Sequence, residues 1–330
     1  MILNSYNLYY HDTYKTLDDF SSNSKNYDLF ISGYTEETMV RSVYDKVDSI
    51  KKVWLIFPDY HLTSIPSEEN FTETISIDNT YLESTFTNNF FTNYSLDKYI
   101  DKKICIDITG FIKPYIFSLI RLFKENNFKN IDIIYSEPKY YKDKEKTKFS
   151  SQILSVRAIN FFNSSNPDTS KDMLIINAGY DINLISSVIE RYSSIKQKKL
   201  LLGSPPLMPD MLQENLLNIE NIKNDFHSFN PLFSPANNPF ETANVISTYI
   251  QEYTQKNKIT NLYIAPLATK PQALGLLLFL MAEKVKLEKE HNIKIKVIYP
   301  FTESYSSSAG KEISRINIYN LDFNILNLSN

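Results

Sequence analysis

Several residue types are scarce in this chain, and each scarcity removes a class of protein. The 330 residues include one cysteine, six glycines and four histidines. One cysteine excludes an internal disulfide framework. Cys105 lies within the apolar run Ile104-Cys105-Ile106 and reads as a small buried hydrophobe rather than a reactive thiol. His11, His61, His227 and His291 are scattered and make no H-x-x-x-H or H-E-x-x-H pattern, so no metal site is expected. The longest apolar run, residues 274–282, falls well short of the roughly 20 residues that cross a bilayer. Residues 1–10 hold no basic segment leading into an apolar one, so the expectation is a cytoplasmic protein without a membrane partner.

A dominant charge is also missing. The balance is 35 Lys+Arg against 38 Asp+Glu, a formal charge of −3, with no long block of either sign. Broad attraction to a nucleic-acid backbone is therefore not expected, although a local basic pocket for a small anion is compatible with this balance. Hydrophobic residues at 42% and charged residues at 22% match globular averages, which excludes disordered and fibrous classes, and the length suits two domains.

What is present is an alternation of strand and helix patterns. Residues 27–33 form a short apolar run ending in a turn. Thr35, Glu36 and Glu37 open a helix carried by Met39, Val40, Val43, Tyr44 and Val47, and 52–57 is the next strand. An insertion at 61–100, rich in Thr, Ser, Asn and aromatics, is expected to hold at most a short helix. A strand then runs into Asp107-Ile108-Thr109-Gly110, followed by a helix over 114–126 and a strand over 131–135. Residues 141–171 read as a charged, turn-rich linker with a short helix near 153–159. The pattern restarts with strand 173–177, helix 182–192, strand 199–202 and helices near 209–222 and 239–256. Strand 261–265, helix 271–289, strand 293–299 and an alternating segment at 315–323, read as an edge strand, complete it. This predicts an α/β fold of two tandem Rossmann-like parallel-sheet halves, 27–140 and 172–330, preceded by an extension over 1–26.

The halves share landmarks in the same order, which points to an internal duplication. Phe30-Ile31-Ser32-Gly33-Tyr34 matches Ile176-Asn177-Ala178-Gly179-Tyr180, and each is followed by a helix and a lysine pair, Lys51-Lys52 or Lys198-Lys199. Farther on, each copy has a strand, a loop ending in Lys-Pro (Lys113-Pro114, Lys270-Pro271) and an apolar helix. The pattern predicts that the two halves face one another around one cleft.

Gly33, Gly110, Gly179 and Gly203 each stand just after a predicted strand. Ligands of open parallel sheets bind beyond the carboxyl ends of the strands, where glycine lets backbone amides approach them, although tight turns alone also call for glycine. None of these loops is a G-x-G-x-x-G or a G-x-x-x-x-G-K-[ST], which argues against a dinucleotide-dependent dehydrogenase and a P-loop NTPase; no cofactor is expected. Asp107-Ile108-Thr109-Gly110-Phe111-Ile112-Lys113-Pro114 and Pro266-Leu267-Ala268-Thr269-Lys270-Pro271 instead place a Thr, a Lys and a Pro where a strand meets a helix. Proline is preorganised for a first helical turn, free amides there attract anions and lysine adds a full charge, a combination suited to phosphate.

The first loop resembles the strand-to-helix loop of CRISPR-associated Rossmann-fold (CARF) sensors, often D-x-T-G-G-T-K. The tandem layout resembles the SAVED domains, which look like two fused CARF-like halves. Asp107, Thr109, Gly110 and Lys113 match four positions of that loop, and Thr269 and Lys270 match its last two. Phe111 and Ile112 replace the second Gly and the Thr, and the second copy lacks the Asp and both glycines. The resemblance implies recognition of a cyclic nucleotide or oligonucleotide second messenger in prokaryotic antiviral defence. The candidate ligand residues are Gly33, Tyr34, Asp107, Thr109, Gly110, Lys113, Gly179, Tyr180, Gly203, Thr269 and Lys270, and the partner is a small phosphorylated, nucleotide-type ligand. Asp181, Asp210 and Glu241 are candidate acid/base groups for an alternative, an enzyme acting on a nucleotide or sugar phosphate, although helix capping and a solvated surface are the commoner reason for a carboxylate at such positions. A third reading is an interaction subunit, or homo-oligomer, using aromatic surfaces in 61–100.

Overall fold

The computed structural model describes residues 5–62, 72–76, 82–141, 151–220, 222, 230–306 and 310–327. His227 and the charged run 142–150 lie outside them. In chain order the strands are β1 (His11–Tyr14), β2 (Tyr27–Gly33), β3 (Ser49–Ile56), β4 (Thr72–Ser76), β5 (Ile104–Asp107), β6 (Asn130–Tyr141), β7 (Ile153–Asn163), β8 (Met173–Asn177), β9 (Gln197–Gly203), β10 (Leu232–Ser234), β11 (Asn261–Pro266), β12 (Lys294–Thr302) and β13 (Gly310–Asp322). The helices are α1 (Leu17–Asn23), α2 (Thr38–Lys46), α3 (Glu83–Asn93), α4 (Lys113–Glu125), α5 (Ile182–Arg191), α6 (Met211–Glu220), α7 (Pro239–Thr254), α8 (Lys270–Glu290) and α9 (Phe323–Asn327).

The strands make two mostly parallel sheets, one in the order β1-β13-β6-β5-β2-β3-β4 and one in the order β10-β9-β8-β11-β12-β7. The chain accordingly divides into two units. The first contains residues 9–152 and 302–324, and the second residues 1–8, 153–301 and 325–330. The central strands read as unbroken apolar runs because parallel strands covered on both faces must be apolar on both; β5, β8 and β11 are buried along their whole length. Helix α8 is buried without interruption from Pro271 to Leu280, as expected of a helix that is hydrophobic all round.

The two sheets repeat one strand order. Reading β4-β3-β2-β5-β6 against β10-β9-β8-β11-β12 pairs every parallel strand of one unit with its counterpart in the other. Beyond this series the units exchange strands. β6 leads in sequence to β7, but its antiparallel partner is β13, paired from Gly310 with Tyr141 to Asp322 with Asn130 with one shift of register between Ile313 and Arg315. β7 instead lies beside β12, with Ser164 N–H bonded to Ile295 O. The repeated lysine pairs also have a physical use, since one lysine of each ties the following strand back to carbonyls of the preceding helix or of the loop that leaves it. Lys52 Nζ donates to Tyr44 O at 2.7 Å, satisfying a carbonyl that the C-terminus of α2 leaves open, and Lys198 Nζ donates to Ile195 O at 2.6 Å in the loop between α5 and β9.

Four expectations are corrected. The span 1–26 is not a featureless extension, because β1 pairs with β13 and α1 is capped by Thr16. The 61–100 insertion supplies β4, which extends the first sheet parallel to β3, besides α3. Residues 153–159, expected as a helix, begin β7: Ile153, Val156, Ile159 and Phe162 recur every third residue and mimic a helical period, but pairing with β12 decides the conformation. β13 is an interior strand rather than an edge. Its polar Asn317, 1% exposed, is satisfied across the sheet, donating to Glu137 Oε1 at 2.8 Å and accepting from Thr13 Oγ1 at 2.8 Å.

Candidate functional site

In each sheet the order of strands reverses direction at one place, between β2 and β5 and between β8 and β11. Loops diverge there at the carboxyl ends, and a crevice for ligand forms. In the first unit that crevice is tightly closed by its own residues. A side-chain carbon on Gly33 would lie 2.7 Å from Gly110 O, and one on Gly110 would lie 1.9 Å from Gly33 O. These glycines therefore let the two loops touch one another. Asp107, fully buried, accepts from Ser32 Oγ at 3.3 Å and from Thr109 N–H at 2.9 Å, and Thr109 Oγ1 accepts from Ser136 N–H at 2.9 Å. Both residues brace the loop. Tyr34, 4% exposed, packs edge-on against Trp54 and its hydroxyl accepts from Arg41. Lys113 is half-buried and opens α4, whose N-cap, Ile112, supplies no side-chain hydrogen bond.

The second unit keeps its strand-end residues more accessible. Gly179, Tyr180, Gly203, Thr269 and Lys270 are all half-buried. Gly179 packs on the loop after β11, where an added carbon would stand 2.6 Å from Leu267 O. Gly203 faces Ala236 and Gln272 Oε1, and Thr269 donates to Ala236 O and caps α8 by accepting from Gln272 N–H. Gln272 is fully buried and donates to Ser234 Oγ at 3.0 Å. The loops after β9 and β10 thus converge on the N-terminus of α8, bringing Gly203, Thr269 and Lys270 together. Tyr180 donates to Glu214 Oε2 at 2.6 Å and ties the β8 loop to α6. Gln272 was not among the sequence candidates. The available signal was one polar residue just ahead of the apolar run 273–282. Asn177, at the end of β8, is fully buried and its Oδ1 has no hydrogen-bond partner among the described residues.

The three candidate acid/base groups sit at helix starts. Asp181 is the N-cap of α5 and accepts from Asn183 N–H at 3.1 Å. Asp210 is exposed and its carbonyl receives Glu214 N–H. Glu241 lies in the first turn of α7, where the helix dipole favours an acid. Among the described residues no group of three His, Cys, Asp or Glu could hold a metal ion, and no helix is long and apolar enough to cross a membrane.

A more perturbed carboxylate lies in the first unit, just beyond β3. Burial raises the pKa of Asp59, an effect only partly offset by the hydrogen bond it accepts from Tyr115 Oη at 2.6 Å. Burial and the neighbouring Asp59 charge push the Tyr115 phenol up in turn. Tyr60, one residue on, donates to Gly110 O at 3.1 Å, so this acid and two phenols adjoin the closed crevice. Because the folded-state pKa lies above the ordinary carboxylate value, the folded protein holds the proton longer than the unfolded chain. Stability therefore falls as pH rises through the interval between the two values. Asp59→Asn is expected to raise the melting temperature at neutral pH and to match the parent in acid, as followed by thermal melts across pH.

No protein-family model matches the chain, and no curated protein matches it. Among solved structures, one described as the crystal structure of a ketoreductase domain from the bacillaene assembly line overlays 88% of this chain and 71% of that one. Its identity is 8% and its TM-score 0.22, and a likeness that low carries no argument about fold or activity.

Proposed function

We propose that this protein is a binding sensor for a phosphorylated, nucleotide-type ligand held at the carboxyl ends of its parallel strands. The observation that carries this reading is the convergence of Gly203, Thr269 and Lys270 at the start of α8. It combines a helix N-terminus, a lysine and an accessible glycine loop, a combination suited to phosphate. Burial shifts the emphasis between units. Gly33, Tyr34, Asp107, Thr109 and Gly110 are buried and brace their loops, leaving Lys113 as the half-buried candidate of the first unit's own helix start, while Gly179, Tyr180, Gly203, Thr269 and Lys270 are the half-buried candidate contact set of the second unit, where the ligand is assigned. A cyclic nucleotide or oligonucleotide of antiviral signalling is the ligand that the CARF and SAVED resemblance favours.

Mass spectrometry of small molecules released from the purified protein is the first test, and a retained phosphate ester is the expected result. Lys270→Ala is expected to weaken its binding to the second unit about tenfold or more, about 1.4 kcal/mol, and Lys113→Ala to weaken similarly any binding at the first unit's own helix start, each with little change in the melting temperature of the ligand-free protein. Unchanged affinity in both variants, measured by calorimetry, would make the two loops structural only.

A further inference from the structure

A concavity of about 680 Å³ opens at the opposite end of the second unit's sheet, at the amino ends of β8 and β9. Lys171 stands before β8, Lys196 immediately before β9, and Lys256 and Lys258 follow α7; all four line the hollow, with Tyr253 between them and the body of α7. Lysines near helix C-termini ordinarily serve the open carbonyls, but other groups do so here. At the end of α5 the Tyr192 and Ser193 N–H groups take Val188 O and Glu190 O, and in the loop beyond it Lys198 takes Ile195 O and Ser193 O. At the end of α7, Thr254 Oγ1 donates to Ile250 O at 2.8 Å, and Tyr253 O receives the Lys256 and Asn257 N–H groups and the Asn257 side chain. None of the four cavity ammonium groups makes a hydrogen bond or an ion pair to a described residue.

The acids nearby do not cancel this charge. Asp172 lines the hollow, but its Oδ1 already accepts from Thr260 Oγ1 at 2.8 Å and Asn261 Nδ2 at 2.7 Å. Asp168 is held below the usual carboxylate range mainly by the hydrogen bonds it accepts from Ser170, with smaller contributions from Lys258 and Lys171. Four ammonium groups against two carboxylates and two helix ends of about half a charge each still leave a surplus of roughly one positive charge. The size falls within the range of small-molecule sites, and lysine is a mobile point-charge donor to phosphate oxygens.

We propose that this hollow is a second anion site, separate from the strand-end loops, that takes a short chain of phosphates, free or borne by a nucleotide whose base lies against Tyr253. The test is calorimetric titration of the full chain with sodium tripolyphosphate and, separately, with ATP, in the Lys113→Ala/Lys270→Ala background that removes the strand-end lysines. Saturable binding is expected, weakened about tenfold in an added Lys196→Gln/Lys256→Gln pair and progressively by salt. Lys171→Gln/Lys258→Gln provides an independent second pair. ATP binding tighter than tripolyphosphate, with the advantage lost in Tyr253→Leu, assigns a nucleotide; equal binding assigns the phosphate chain alone. No saturable binding of either anion, or affinity unchanged by both lysine pairs, overturns the proposal without bearing on the strand-end site.

Discussion

A chain cut once between residues 141 and 153 is expected to yield two fragments of unequal competence. The carboxyl-terminal fragment holds every strand of the second sheet, β7 to β12, and is expected to fold alone. The amino-terminal fragment lacks β13, which lies between β1 and β6, and is expected not to. β13 buries Ile316, Ile318, Tyr319 and Leu321 almost completely. At about 1.5–3 kcal/mol each, these four side chains contribute roughly 6–12 kcal/mol, as much as the whole stability of an ordinary domain, about 5–15 kcal/mol. Mixing the fragments should restore a cooperative melt and co-purification through a tag on either one, because the second fragment supplies β13. Independent cooperative melting of the amino-terminal fragment at the parental temperature would show that the exchanged strand is dispensable.

Gly110→Ala is expected to destabilise the protein by about 3 kcal/mol, the upper end of ordinary overpacking costs, lowering the melting temperature by roughly 6–12 °C. The added methyl would meet Gly33 O at 1.9 Å, and a backbone carbonyl at the end of a central strand cannot swing aside as a long side chain can. Gly203→Ala is the contrast. Its nearest neighbour, Ala236 Cβ, would be 3.0 Å away, which a small loop shift relieves, so the cost is expected to stay below about 1 kcal/mol. Denaturant unfolding of both variants separates two roles of glycine. If the first-unit glycines served only a ligand, Gly110→Ala would leave the stability of the ligand-free chain intact and affect binding alone.

The candidate site was legible in the sequence as a position more than as a set of contacts. Glycines after apolar runs, and Lys-Pro at a helix start, marked the carboxyl ends of β2, β5, β8, β9 and β11 because those residue types answer to local backbone needs. Asp107 and Tyr34 could not be sorted from ligand contacts in the same way. Asp107 is occupied by Ser32, a residue on a neighbouring strand, and Tyr34 by Arg41 and Trp54. The convergence of Ser234, Ala236 and Gln272 on Gly203 and Thr269 joins residues from three separate stretches of the chain, the ends of β9 and β10 and the start of α8, and no local pattern encodes it.

The sequence by itself determined the alternation of apolar strands and helices, the duplicated order and the helix starts. Each of these is set by periodicity, capping and turn chemistry within a few residues. Only the tertiary structure decided which strands pair. Nothing local in the segments 153–163 and 310–322 names a partner strand, yet β6 takes β13 and β7 lies beside β12. Backbone hydrogen bonds are the same whichever partner supplies them. The choice rests on side chains distant in sequence, such as Asn317 with Glu137 and Thr13; Asn317 and Glu137 are buried, which is tolerable only when their polar groups are paired.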